Sequence, residues 1–183
     1  MDTINQLLPA LEKCKAIICD ARGYPKDNHE FITHLMKSDD TTSSWMQIPQ
    51  IIYPDQENIT GYSKHNWMQM MKAKKPYLGD KKVVYIIDGS AISYAERCMG
   101  YIEGYKLATI VGQPTAGTNG SINPFDLPGG YTMAWTGMKV LKHDGSQHHG
   151  IGILPNIYVS KTIQGMKEGR DEFLEKAIEI AKQ

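Results

Sequence analysis

Lys82-Val83-Val84-Tyr85-Ile86-Ile87-Asp88-Gly89-Ser90-Ala91-Ile92-Ser93-Tyr94-Ala95-Glu96 decides how this chain is read. Lys82 to Ile87 is an apolar run of strand length, and an unbroken apolar strand belongs inside a parallel sheet covered on both faces. From Ser93 to Gly104 the pattern turns helical, and Leu107 to Val111 follows as a second apolar strand. Strand, helix and strand in that order make a β-α-β unit, which implies parallel pairing and a right-handed crossover. Ser93 then sits at a strand-to-helix junction. There the helix N-terminus offers N–H donors and the positive dipole end to any oxyanion formed beside it. The plainer reading of the same residues is a capping box, with Ser93 as N-cap and Glu96 three residues on.

Working outward, the 183 residues suffice for one domain with a core of its own. Twenty basic and twenty acidic side chains cancel. No basic stripe appears of the kind a nucleic-acid partner would require, so none is expected. Lys72-Ala73-Lys74-Lys75 before Pro76 reads as a solvated turn. No apolar stretch nears the ~18 residues that would span a bilayer. Met1-Asp2-Thr3-Ile4-Asn5 lacks the features of a signal peptide. The three cysteines, Cys14, Cys19 and Cys98, form no C-x-x-C pair; Cys19 and Cys98 read as small core residues. Cysteine and histidine never fall at zinc-ligand spacing, so no metal is expected.

Residues 3 to 14 read as a short helix interrupted at Pro9, and residues 15 to 20 as a buried strand. Asn28 to Lys37 reads as a helix with Phe31, Ile32, Leu35 and Met36 on one face and His34 on the solvated one. Between residues 38 and 77 the periodicity fades. This is expected to be an irregular insert with one strand, Gln47 to Tyr53, around Trp45, Trp67, Met68, Met70 and Met71. Residues 112 to 130 hold five glycines and three prolines and read as irregular. A hairpin of Tyr131 to Thr136 with Lys139 to Lys142 is expected next, then a closing helix from Arg170 to Gln183.

Three further segments frame Ser93. Upstream, Lys15-Ala16-Ile17-Ile18-Cys19-Asp20-Ala21-Arg22-Gly23 is a strand ending in Asp-x-Arg-Gly. Downstream come Gly112-Gln113-Pro114-Thr115-Ala116-Gly117-Thr118-Asn119-Gly120 and Gly150-Ile151-Gly152-Ile153-Leu154-Pro155. In this order the segments resemble the catalytic domain of the C-terminal processing (tail-specific) serine peptidases. That family includes the tricorn core protease and interphotoreceptor retinoid-binding protein, and the resemblance runs from about residue 10 to 182.

The resemblance implies an α/β fold of the ClpP/crotonase type, a mainly parallel sheet flanked by helices, in one domain over residues 1–183. It implies acyl-enzyme chemistry on a peptide or protein substrate without a cofactor. Ser93, in Ser-Tyr-Ala-Glu, takes the nucleophile's place, and the main-chain N–H groups of Gly23 and Tyr94 take those of the oxyanion hole. The plainer reading of Gly23 is a turn that needs glycine.

The pattern is departed from in several places. Tyr24-Pro25-Lys26-Asp27 replaces asparagine and glycines after the turn, and Pro25 removes an N–H. The lysine that serves as base in bacterial relatives is absent, with Thr118 and Asn119 in its neighbourhood. The upstream histidine of tricorn-like relatives is absent too. His148 and His149 are the candidate accessory groups, against a plain reading of an exposed pair in an Asp-Gly loop. The expectation is therefore a fragment whose base comes from an upstream part of an exported, periplasmic or extracytoplasmic parent, with a cytoplasmic protein as the alternative location. Alone it should be nearly inactive, expose an apolar patch and be prone to homo-oligomerise. The alternatives are a binding module that kept the scaffold without catalysis, and a crotonase-type acyl-CoA enzyme.

Overall fold

The computed structural model describes residues 2–24, 29–40, 46–51, 59–65 and 71–183. Its central sheet has the order β1-β4-β5-β9, formed by β1 (Ala16–Asp20), β4 (Lys82–Ile87), β5 (Thr109–Gly112) and β9 (Ile157–Tyr158). All three pairings are parallel, with Ile17 opposite Val83, Tyr85 opposite Ile110 and Val111 opposite Ile157. Every residue of β4 from Val83 to Ile87 is buried, which only a strand with neighbours on both edges and cover on both faces achieves. Side chains alternate between faces along a strand. Val83, Tyr85 and Ile87 therefore join one core with Ile32, Leu35, Met99 and Ile102, while Val84 and Ile86 join another with Val111, Phe173, Ala177 and Ile180.

The first core is closed by α1 (Asp2–Lys13), α2 (His29–Thr33) and α3 (Tyr94–Gly104), the second by α5 (Glu172–Ala181). This is the α/β sandwich expected from the sequence, with a parallel sheet between helical layers. Arg22, just past β1, joins the layers at the carboxyl end of the sheet. Its guanidinium donates to Asp20 at 2.6 Å and to Asp171, the N-cap of α5, at 2.7 Å. The same contacts hold both carboxyls below their usual range.

Several elements depart from the sequence reading. Helix α1 runs through Pro9, because Ile4, Leu8 and Leu11 pack on the core and outweigh the single backbone bond that proline forfeits. Helix α2 ends at Thr33, and the chain then tightens so that His34 N–H reaches Phe31 O. The insert carries two strands, β2 (Met46–Ile51) and β3 (Ile59–His65), paired antiparallel. Met71 is buried in the core, while Trp45, Trp67, Met68 and Met70 lie outside the described residues.

The hairpin is also redistributed. β7 (Tyr131–Thr136) pairs with β6 (Ile122–Leu127), and β8 (Lys139–Val140) pairs instead with β2. Gly129 and Gly130, at φ 92° and 81°, make the tight connection, and Pro124 is tolerated because β6 has no second neighbour among the described residues. A short α4 (Ile163–Lys167), capped by Thr162 Oγ1 at 2.9 Å from Gly165 N, precedes α5 and has no counterpart in the sequence reading.

Gly112 ends β5 at φ 124°, and a Cβ there would lie 2.0 Å from Ile87 O. Gly145 has φ 84° and nothing within 4 Å of a Cβ. Gly112→Ala should therefore cost more than ~3 kcal/mol in urea unfolding, and Gly145→Ala only ~1 kcal/mol. Equal costs would show that the close approach at the sheet edge is not tight.

Candidate active site

Between β4 and α3 the chain makes an elbow. Ser93 occupies the N-cap of α3 with φ 52° and ψ −110°, a conformation that costs a residue bearing a Cβ about 1–3 kcal/mol. Among the described residues Lys106 is the other non-glycine at positive φ. The elbow persists because its surroundings over-determine it. Ala91 is fully buried and its carbonyl accepts Ala116 N–H at 3.1 Å, Ala95 N–H bonds Ile92 O at 3.0 Å, and Ser93 N–H donates to Glu96 Oε2 at 3.1 Å. The result is a half-buried serine at the carboxyl end of the central strand and the start of an 11-residue helix. In open α/β sheets that edge is where ligands bind.

Glu96 is the hub of the site. It is buried completely, yet its carboxylate accepts from Ser93 N–H, from Thr115 Oγ1 at 2.8 Å, from Gly117 N–H at 2.6 Å and from Thr118 N–H at 2.8 Å. His148 Nε2 lies 3.4 Å from Glu96 Oε1, and its ring is also buried. Burial pushes the carboxyl up, but the contacts from His148, Thr115 and Thr118 outweigh it and hold Glu96 below its usual range. The capping-box reading was thus right about one bond and silent on the others.

Two loops are locked together around this carboxylate. Thr115 N–H donates to Ile153 O at 3.1 Å, Ile153 N–H to Thr115 Oγ1 at 2.8 Å, and Gly150 N–H to Gly117 O at 3.0 Å. Gly117, at φ 71°, leaves no room for a Cβ, which would sit 2.9 Å from Gly150 N.

The other sequence candidates fall as follows. Gly23 N–H donates to Ser90 Oγ at 2.9 Å, and Ser90 Oγ in turn donates to Asp88 Oδ1. The Gly23 amide is therefore occupied, and the expected pair of amides open to one oxyanion is not what this structure holds. The cause is Ser90, which lies 67 residues from Gly23 in sequence and was not among the residues read as functional. Gly23 does need glycine's freedom, at φ 78°. Tyr94 opens α3; its hydroxyl is 2.5 Å from His29 Nδ1 and its ring lies 6.0 Å from that of Tyr24.

His148 and His149 do not form the exposed pair of the plain reading. His148 is packed against Glu96, and His149 Nε2 bonds Asn119 O at 2.8 Å. His34, expected on a solvated face, is buried with Nδ1 donating to Pro76 O at 2.8 Å, because the chain leaves helical geometry at that residue. Pro25 lies outside the described residues. Cys98 is buried and Cys19 packs partly against the core, and burial pushes their thiols up to about 11 and about 12, as for inert structural cysteines.

The family model of peptidase family S41 matches residues 37–159. That stretch includes Ser93, Tyr94, Glu96, both locked loops and His148–His149, and excludes Gly23. No curated protein sequence gives a significant match. Among solved structures the chain is similar to a candidate peptidase from Parabacteroides merdae, with a TM-score of 0.76 and 18% identity over 98% of this chain and 56% of that one. It is similar to mature CPAF (TM-score 0.71, 15% identity, 99% and 45% covered). It is similar also to the photosystem II D1 C-terminal processing protease (TM-score 0.55, 15% identity, 87% and 38% covered). At these identities the likeness is one of fold. The chain spans about half the length of the first two structures.

Two stability measurements check the geometry. Ser93→Gly should stabilise the fold by ~1 kcal/mol, since glycine relieves the positive φ, whereas Ser93→Ala should not stabilise it. Glu96→Gln should destabilise by about 2–4 kcal/mol at pH 7 through mismatched buried partners. Folded Glu96 holds its proton less tightly than the unfolded chain does. Its contribution is thus fully present above the ordinary value of 4.5 and is lost as pH falls through the lower folded value. Stability of the native sequence should drop on acidification below that point, and the Glu96→Gln profile should be flatter there. Parallel profiles would remove Glu96 from this role.

Proposed function

The chain belongs to peptidase family S41, and from that premise we propose that it is a serine-type peptidase domain with Ser93 as the nucleophile. The observation that carries the reading is the strained elbow itself. A serine with φ 52° at a strand–helix junction, inside the stretch that matches a peptidase family, is a costly conformation with no structural need for a side chain. In this reading the Ser93 hydroxyl attacks the carbonyl of a peptide or protein substrate and gives its proton to the base; the tetrahedral oxyanion collapses with cleavage of the C–N bond, the amine leaves with that proton, and water hydrolyses the acyl-enzyme. The first-turn N–H of Tyr94 and the dipole of α3 stabilise the oxyanion. Gly23 joins them once Ser90 Oγ releases its amide.

The base that takes the Ser93 proton comes from outside this chain. The histidines nearest the site in sequence or space are engaged elsewhere, His29 with Tyr94, His148 with Glu96 and His149 with Asn119. Thr118 and Asn119 occupy the neighbourhood in which bacterial relatives are expected to carry lysine. The domain is read as part of an exported protein with further segments. A non-catalytic binding module on the same scaffold is the second reading, and the occupied Gly23 amide is the observation that favours it.

A fluorophosphonate probe separates these readings. Applied to the protein at its full natural length, it should label Ser93, and Ser93→Ala should abolish both labelling and peptidase activity. The 183-residue chain alone should label at least ~100-fold more slowly, the usual worth of a general base. Ser90→Ala should raise the labelling rate severalfold by freeing Gly23. Undiminished peptidase turnover by Ser93→Ala would falsify the nucleophile assignment. Rapid labelling of the isolated chain would place the base within it, at His148 or His149 first.

A further inference from the structure

The ribbon of β6 and β7 is exposed along its whole length. Directly opposed residues of an antiparallel pair share a face. Asn123 with Trp135, Phe125 with Met133, and Leu127 with Tyr131 therefore line one side, and Ile122 with Thr136, Pro124 with Ala134, and Asp126 with Thr132 line the other. The second face is largely small or polar, with Thr132 Oγ1 donating to Asp126 Oδ1 at 2.8 Å. The first is an apolar ladder in which the Phe125 and Trp135 rings meet edge to face at 5.3 Å. A two-stranded ribbon is marginal in water, and one that leaves five large apolar side chains in solvent lacks the cover that would stabilise it.

We propose that this face pairs with the same face of a second copy of the chain. Three observations select that occupant. The exposed parts of the five side chains, from 36% for Leu127 to 71% for Tyr131, offer roughly 500 Å² of apolar surface per copy, on the scale that aromatic side chains bury. Two copies with the whole face covered thus reach the ~1,000 Å² a specific interface needs. The face carries no charge, since Asp126 points to the opposite side, so a two-fold axis brings no like charges together. The ladder is also self-complementary about its centre. With Phe125 and Met133 on the axis, antiparallel stacking sets Trp135 of each copy against the Leu127–Tyr131 end of the other. Docking is by the face and not the β6 edge, because Pro124 has no N–H to offer a further strand. The inference stands on the ribbon alone and does not depend on the chemistry of Ser93.

Sedimentation equilibrium of the purified chain, from micromolar to hundreds of micromolar, tests it. The chain should reach twice its monomer mass and stop there. Met133→Glu puts like charges on the axis and should raise the dimer dissociation constant at least ~100-fold. Ala134→Glu on the opposite face should leave it within about threefold, which controls for added charge on a folded ribbon. Met133→Cys should be linked to its copy by a short bis-maleimide, since facing backbones of stacked sheets lie ~10 Å apart. A monomer at all concentrations, or a dimer indifferent to Met133→Glu, overturns the proposal and assigns the face to another occupant, a peptide or a further segment of a longer parent.

Discussion

The buried carboxylate of Glu96 is the constraint on which the rest of the site depends. A charge removed from water costs several kcal/mol unless its lone pairs are filled. Here hydrogen bonds come from the elbow at Ser93 and the loop at Thr115 to Thr118, and a third segment, ahead of the Gly-Ile-Gly-Ile loop, sets His148 Nε2 3.4 Å from Oε1. None of these segments is regular structure. The carboxylate thus converts three turns into one rigid body. Breaking any one contact leaves the charge under-satisfied, so the arrangement is cooperative rather than a sum of bonds.

Rigidity of this kind is what allows strain at Ser93. A serine at positive φ relaxes unless both flanks are pinned. On one side the elbow is anchored through β4, whose burial on both faces fixes the direction in which the strand ends. On the other it is anchored by Glu96, one turn into α3. Arg22 does the equivalent work at the neighbouring strand end, holding the Asp-x-Arg-Gly turn against the N-cap of α5. Parallel strands, whose carboxyl ends all lie on one edge, put these two anchored turns side by side. That is how residues 67 apart, Gly23 and Ser90, come to share a hydrogen bond.

The sequence made legible whatever is local and periodic. β4 and α3 fall where the unbroken apolar run and helical spacing put them, and the parallel sheet follows from their order. What it withheld is long-range. Glu96 looks like a cap partner because its bond to Ser93 is three residues away, whereas its bonds to Gly117 and Thr118 span about twenty. His34 was misjudged because an unbroken helix would have turned it outward. The strand Ile122–Leu127 was hidden by composition: the flanking glycines and prolines shape its ends, and Pro124 sits where an edge strand can hold it. Ser90 gave no signal at all, being one more polar residue in a turn until the fold sets Gly23 beside it.

The same network bears on where a base can stand. For His148 to take a proton from the Ser93 hydroxyl, its Nε2 would have to leave Glu96, since the ring is buried against that carboxylate. Leaving would remove one of the groups that keep Glu96 ionised, and the carboxylate is what pins the Ser93 backbone. A base recruited in this way would loosen the elbow it is meant to serve. His149 is tied through Nε2 to Asn119 O, in the loop that Glu96 also clamps. The interior of the site is thus committed to holding shape, and proton transfer fits best with a group that approaches Ser93 from its open side.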